Sequence, residues 1–125
     1  MNPAIDTVPS VRGHVHHADV AFRPEADTRA PGGAVTVALC GSWDHVGSCR
    51  WPHHTSVDTS LTPSPVRVVY VVGDHELDEV CRMIESALRN GDGWSAVVMR
   101  ADELTAAEAT QVERLRGPSP ESHDG

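Results

Sequence analysis

The sequence contains no lysine, so all ten basic side chains among its 125 residues are arginines. This absence excludes chemistry that needs a lysine amine, such as Schiff-base formation or the phosphate contact of a P-loop. The 18 acidic residues outnumber the arginines and give a formal net charge of −8. Because nucleic-acid binding needs clustered basic side chains against the phosphates, this charge disfavours a nucleic-acid partner.

Long apolar runs and a cysteine framework are missing as well. No stretch approaches the roughly 20 apolar residues that cross a bilayer, and no basic segment followed by an apolar one marks a signal peptide. The sequence therefore predicts a soluble, cytoplasmic protein without a membrane partner. Three cysteines, an odd number, argue against a secreted disulfide scaffold. Cys40 and Cys49 could close one bridge, but in a cytosolic chain we favour metal ligation or free thiols.

The composition along the chain predicts one domain with loose ends. Residues 1–10 lack apolar periodicity, and residues 117–125 form a polar, proline-rich tail, so both segments are expected to be disordered. The remaining residues 11–116 have the usual size of a single domain. Within them, residues 40–65 form a long segment with little periodicity, which we interpret as a Cys/His-rich loop.

The N-terminal half of this domain predicts an antiparallel hairpin. Residues 11–22 are typical of a strand, with His14 and His16 on one face and His17 on the other. Residues 34–39 alternate between larger and smaller side chains and predict a second, half-buried strand. Consecutive strands usually pair antiparallel, which would bring the two histidines of the first face close to the end of the second strand.

The C-terminal half predicts a βαβα order. The near-continuous β-branched run at residues 66–72 indicates a central strand buried on both faces. Residues 75–90 carry an apolar stripe typical of a helix. Residues 94–99 predict a further strand, parallel to the strand at residues 66–72 and next to it in the sheet. A capping box at residues 105–108 opens a last helix that ends near residue 116. The whole indicates an α+β domain with a four-stranded mixed sheet, two helices on one face and the other face open.

A cluster of soft metal ligands is the most informative feature. Its spacing, C-x4-H-x3-C-x3-H-H, matches no standard zinc module, but thiolate and imidazole are the ligands that zinc prefers. The alternative is a loop with one buried cysteine and solvated histidines. The cluster comprises Cys40, His45, Cys49, His53 and His54.

His14 and His16 are further candidate ligands, because two imidazoles on one strand face can donate to the same ion or to a second one. Exposed histidines of an edge strand are the simpler interpretation. Asp19 and Asp44 could accept hydrogen bonds that fix histidine tautomers. Trp43 and Trp51, which flank the cluster, are expected to pack the loop onto the open sheet face rather than to line a ligand pocket.

These features predict a small zinc-binding protein with an accessory or regulatory role. One alternative is a small metal-dependent enzyme in which water completes the zinc coordination. Another is a metal-free interaction subunit that docks through the open sheet face. For each of these functions, the bare sheet face favours a protein partner or a homo-oligomer.

Overall fold

A computed structural model of the chain describes residues 11–40 and 51–116. Its elements, in chain order, are β1 (Val11–Phe22), α1 (Ala30–Cys40), β2 (His53–Val57), β3 (Ser64–Gly73), a 3₁₀ turn (Asp74–Glu76), α2 (Leu77–Arg89), β4 (Trp94–Asp102) and α3 (Ala106–Arg116). The predicted α+β class is therefore confirmed. Within these two segments, no helix has the length and apolar character needed to cross a membrane.

The four described strands form one antiparallel sheet in the order β2-β3-β1-β4. β1 pairs antiparallel with β3 on one side and with β4 on the other. The connections β1-α1-β2 and β3-α2-β4 therefore each pass over one intervening strand. This is the split βαβ, or ferredoxin-like, arrangement, with α3 added after the last strand.

The predicted strand at residues 34–39 is wrong, because these residues belong to helix α1. Val35 and Leu39, four positions apart, are buried on the same side of this helix. Pro31 occupies the second helical position, where its missing N–H costs nothing. Since α1 contains no charged residue, its apolar pattern fits a strand as well as a helix. The predicted N-terminal hairpin is wrong for the same reason.

The predicted mixed sheet is also wrong. β3 and β4 run in the same direction, as a βαβ unit requires, but they are not neighbours because β1 lies between them. Val15 of β1 is opposite Val69 on β3 and Asp102 on β4. The two predicted helices, α2 and α3, do not share a face. α1 and α2 cover one face, and α3 packs on the other.

The core is built around β3, which is buried on both faces as predicted. Its side chains Val68 and Tyr70 point towards Ile84 and the rest of the helix pair α1/α2. On the other face Val69 packs with Val112 of α3 in a smaller cluster. The long apolar run of this strand therefore serves two separate packing layers.

The capping box at the start of α3 is confirmed. The Thr105 backbone N–H donates to Glu108 Oε1 at 2.9 Å, and the Glu108 backbone N–H donates to Thr105 Oγ1 at 3.1 Å. These reciprocal bonds satisfy two N–H groups that the helix cannot pair internally. They also hold the Glu108 carboxylate against the sheet.

Gly13 of β1 permits the close approach of α3, and its replacement gives the first prediction. A Cβ at this position would lie 2.9 Å from Val112 Cβ and closer still to both Val112 methyl groups. We expect Gly13→Ala to lower the free energy of unfolding by about 1–2 kcal/mol, because the packed layer must shift. The double variant Gly13→Ala/Val112→Ala should lose less than the sum of the single losses, as measured by urea denaturation.

Gly32, in helix α1, provides the control. A Cβ there has no neighbour closer than 3.4 Å, at Thr55. Gly32→Ala should therefore stabilise the protein by about 0.5–1 kcal/mol through helix propensity. A Gly13→Ala variant with a higher free energy of unfolding than wild type would contradict the packing of α3 against β1.

Candidate functional site

The predicted ligands within the described segments fall into three separate places. Cys40, at the end of α1, lies beside His53 on the inner face of β2. His54 follows on the outer face of the same strand and is exposed. His14 and His16 project from the face of β1 that α2 covers. Since Cys40 belongs to a helix, it does not pair across the sheet with these two histidines.

Cys40 and His53 form the closest pair of predicted ligands. Cys40 Sγ lies 3.9 Å from His53 Nδ1. The imidazole is held by two further contacts: its Nδ1–H donates to the Trp51 carbonyl oxygen at 3.0 Å, and its Nε2 lies 2.9 Å from Thr36 Oγ1, which donates. Thr36 and Cys40 are four residues apart, so α1 presents both side chains to β2.

The separation of this pair is compatible with two ligands of one zinc ion. Bonds of about 2.3 Å to sulfur and about 2.1 Å to nitrogen in a tetrahedron place the two atoms roughly 3.6 Å apart. However, Cys40 is disulfide-bonded in this structure. A disulfide sulfur is not the thiolate that zinc requires, so the predicted site belongs to the reduced chain. His45 and Cys49, the other predicted ligands, lie outside the described residues.

Trp51 has a packing role, but in the main core with α1 and α2 rather than on the predicted open sheet face, and Trp43 lies outside the described residues. Its ring is buried in the main core, and its indole N–H donates to Glu76 Oε1 at 3.3 Å. The start of β2 is thereby attached to the turn that precedes α2. This contact fixes the backbone whose carbonyl group accepts the hydrogen bond from His53.

The second group of titratable residues lies between β1, β3 and α2. The His16 side chain is 3% exposed, and its Nε2 lies 2.9 Å from Glu85 Oε2 on α2. This is an ion-pair distance without hydrogen-bond geometry, and neither ring nitrogen of His16 has a hydrogen-bond partner in the described segments. The His14 ring packs on Tyr70 with 5.7 Å between ring centroids. The Tyr70 hydroxyl in turn lies 3.2 Å from Cys81 Sγ.

Burial dominates the electrostatics of this cluster. It lowers the pKa of His16, although the Glu85 carboxylate opposes the effect. It also lowers the pKa of His14, opposed by Asp74, and it raises the pKa of Tyr70. Both imidazoles are therefore neutral at neutral pH. They are not grouped for coordination, because no set of three or more His, Cys, Asp or Glu side chains could hold a metal ion within residues 11–40 and 51–116.

The other sheet face carries an ionic network that the sequence analysis did not identify. Arg67 of β3 donates to both carboxylate oxygens of Glu108, at 2.6 and 2.8 Å, and to Asp102 Oδ2 at 2.8 Å. It also donates to His17 Nδ1 at 3.1 Å, which leaves the His17 Nε2–H to donate to Asp19 at 2.9 Å. Asp19 thus accepts a hydrogen bond from His17, which is not one of the predicted metal ligands. The available signal was a single arginine within an otherwise apolar strand.

Comparison with known proteins finds no family model that matches the chain and no curated protein with significant similarity.

Proposed function

We propose that the protein is a small zinc-binding accessory or regulatory protein whose reduced form holds the ion through Cys40 and His53. The observation that carries the proposal is the 3.9 Å separation of Cys40 Sγ and His53 Nδ1. The sequence supplies His45 and Cys49 as the further ligands of a four-coordinate site. With a complete set of protein ligands the ion would be structural.

The surroundings of His53 suit this role. Coordination through Nδ1 requires the neutral imidazole to change tautomer, so that its single proton moves from Nδ1 to Nε2 and the hydrogen bond to the Trp51 carbonyl breaks. The Nε2–H then donates to Thr36 Oγ1, which lies 2.9 Å away and whose own hydroxyl proton turns elsewhere. Such an acceptor behind a ligating histidine fixes its tautomer and ring orientation.

The adjacent histidines of β2 allow a matched test. We expect the protein, reduced with a phosphine and freed of excess metal, to contain near-stoichiometric zinc when it is measured by inductively coupled plasma mass spectrometry. His53→Gln and Cys40→Ser should each weaken zinc binding by at least about 100-fold in competition with a chromophoric chelator, because a direct ligand is lost. Thr36→Val should weaken it by about 10–100-fold.

His54→Gln is the control, since His54 is exposed on the opposite face of β2. It should leave zinc affinity unchanged. Equal losses in the two histidine variants would contradict the assignment of His53, and a reduced chain that binds no zinc would contradict the proposed function itself.

The second candidate is a metal-free interaction subunit. It is favoured by the edge strand β4, where Val97 is 61% exposed and Val98 is 44% exposed. An exposed edge strand with neighbouring apolar side chains is typical of a surface that another chain covers. For this candidate, the thermal stability of the reduced chain should not change when zinc is added.

A further inference from the structure

Helix α1 is apolar on every side, although only one side faces the core. Its 11 residues include no charged side chain. Val35 and Leu39 are buried against the sheet, whereas Val37, on the opposite side, is 49% exposed. A helix that is apolar all round is typical of a helix covered on both sides. In the single chain, the outer side of α1 has no cover among the described elements.

The exposed side of α1 forms one wall of a groove shared with α2. The groove has a volume of about 660 Å³. A second hollow at the start of α1 shares Ala34 and Val37 with it, so the apolar surface is continuous along the helix. The apolar residues of the groove are Ala34, Val37, Ala38, Met83 and Ala87.

The charges around this groove are balanced, unlike those of the whole chain. Glu79 and Arg82 of α2 line the groove, and Asp27 and Arg29 line the adjoining hollow. The rim thus offers two acidic and two basic side chains, whereas the chain carries a net charge of −8. A two-fold interface brings each patch against a copy of itself, so it needs a self-complementary surface. The equal numbers of acidic and basic side chains on this rim satisfy the charge balance that such an interface needs.

We propose that a second copy of this chain covers the groove, with α1 and α2 of the two copies packed about a two-fold axis near Val37. The inference is independent of zinc binding, which involves the side of α1 that faces β2 through Thr36 and Cys40, whereas the groove lies between α1 and α2. The edge strand β4 is less suited to pairing with its own copy. Its register with β1 shifts at Asp19/Val20, and such a bulge bends an edge away from a flat pairing geometry.

Sedimentation equilibrium of the full chain tests the proposal. Wild type should be dimeric, and Val37→Glu should weaken the dimer by at least about 100-fold, because it places a charge at the centre of the apolar contact. Val97→Glu is the matched control. This valine is at least as exposed as Val37, so neither variant buries a charge in the single chain. Circular dichroism verifies that both variants remain folded.

Charge reversal on α2 provides a second measurement. Glu79→Arg and Arg82→Glu should each weaken the homodimer, since each variant presents like charges to its own copy. An equimolar mixture of the two should form a heterodimer, because α2 of one variant then presents two arginines at positions 79 and 82 and α2 of the other presents two glutamates. A monomeric wild type at the highest soluble concentration would overturn the proposal. So would a dimer that Val97→Glu disrupts and Val37→Glu does not.

Discussion

Replacing Arg67 with methionine is expected to lower the free energy of unfolding by about 3 kcal/mol, because it leaves a paired carboxylate without its cation. The Arg67 side chain is only 19% exposed, and that of Glu108 is 15% exposed. The guanidinium joins β3 to α3 through Glu108 and to the end of β4 through Asp102 and the Glu103 carbonyl oxygen. The value lies at the lower end for buried pairs because solvent reaches part of this network.

Urea denaturation and thermal unfolding measure this effect. A loss of this size corresponds to a fall in Tm of about 15 °C for a domain of roughly a hundred residues. Arg12→Met is the control, because Arg12 makes a 3.7 Å ion pair with Asp74 between side chains that are more than half exposed. Exposed pairs of this kind contribute about 0–1 kcal/mol. Equal losses in the two variants would contradict the structural role of Arg67.

The same network gives Arg67→Met an altered response to acid. Hydrogen bonds from Arg67 are the main cause of the lowered pKa of Glu108 and of Asp102. For carboxylates with a lowered folded-state pKa, the stabilisation is present above the ordinary values of 4.5 and 3.8 and is lost as pH falls below them. Wild type should therefore lose stability in this range, and the variant should lose much less.

Local sequence signals predicted the parts of the fold that depend on neighbours in the chain. The buried strand β3, the helix α2 and the capping box of α3 all follow from patterns within about a dozen residues. The network around Arg67 could not be predicted in this way, because its partner Glu108 is 41 residues away in the sequence. Only the fold brings the two together.

Helix α1 shows where periodicity fails as evidence. The alternation in residues 34–39 reflects a helix that is apolar on all sides, so a period of two fits by chance. The signals of a helix start were present upstream. The Arg29 N–H donates to Asp27 Oδ1 at 2.9 Å, and Pro31 follows in the first turn. Long-range pairing decides that residues 34–39 do not form a strand beside β1. Both edges of β1 are already paired, one with β3 and the other with β4.

The histidine pattern of β1 was partly predictable. That His14 and His16 share one face follows from the geometry of any strand, and the structure confirms it. Their surroundings do not follow, because the register depends on which strand pairs with β1. His14 is opposite Tyr70, and His16 is opposite Val68. Both imidazoles are buried beneath α2 rather than exposed at a sheet edge, and this burial lowers their pKa values.

His16→Leu is expected to stabilise the protein, which is unusual for a substitution of a buried residue. At pH 7 the neutral imidazole occupies a buried position in which Nδ1 has no hydrogen-bond partner among the described residues and Nε2 has only its 2.9 Å contact with Glu85. An apolar side chain of similar size removes that unsatisfied polar group and should raise the free energy of unfolding by about 1 kcal/mol.

The gain from His16→Leu should grow as the solution becomes acidic. Burial lowers the pKa of His16 below 6.5, the value that the unfolded chain retains. The unfolded state therefore binds a proton before the folded state does, so wild type loses stability as pH falls below about 6.5. The leucine variant lacks this proton uptake. His14 contributes in the same direction, because burial also lowers its pKa.

Glu85→Gln should increase the stability lost at acidic pH, whereas His16→Leu decreases it. This contrast separates protonation of His16 from general acid denaturation. The Glu85 carboxylate, 2.9 Å from His16 Nε2, favours the protonated imidazole. Without it the pKa of His16 falls further, and the stability lost between pH 7 and pH 5 increases.

Urea midpoints measured across this range should rank His16→Leu as least acid-sensitive, wild type next and Glu85→Gln as most sensitive. His75→Gln, on an exposed side chain, should behave like wild type. An unchanged acid response in both the His16 and Glu85 variants would show that protonation beneath α2 does not limit the stability of the fold.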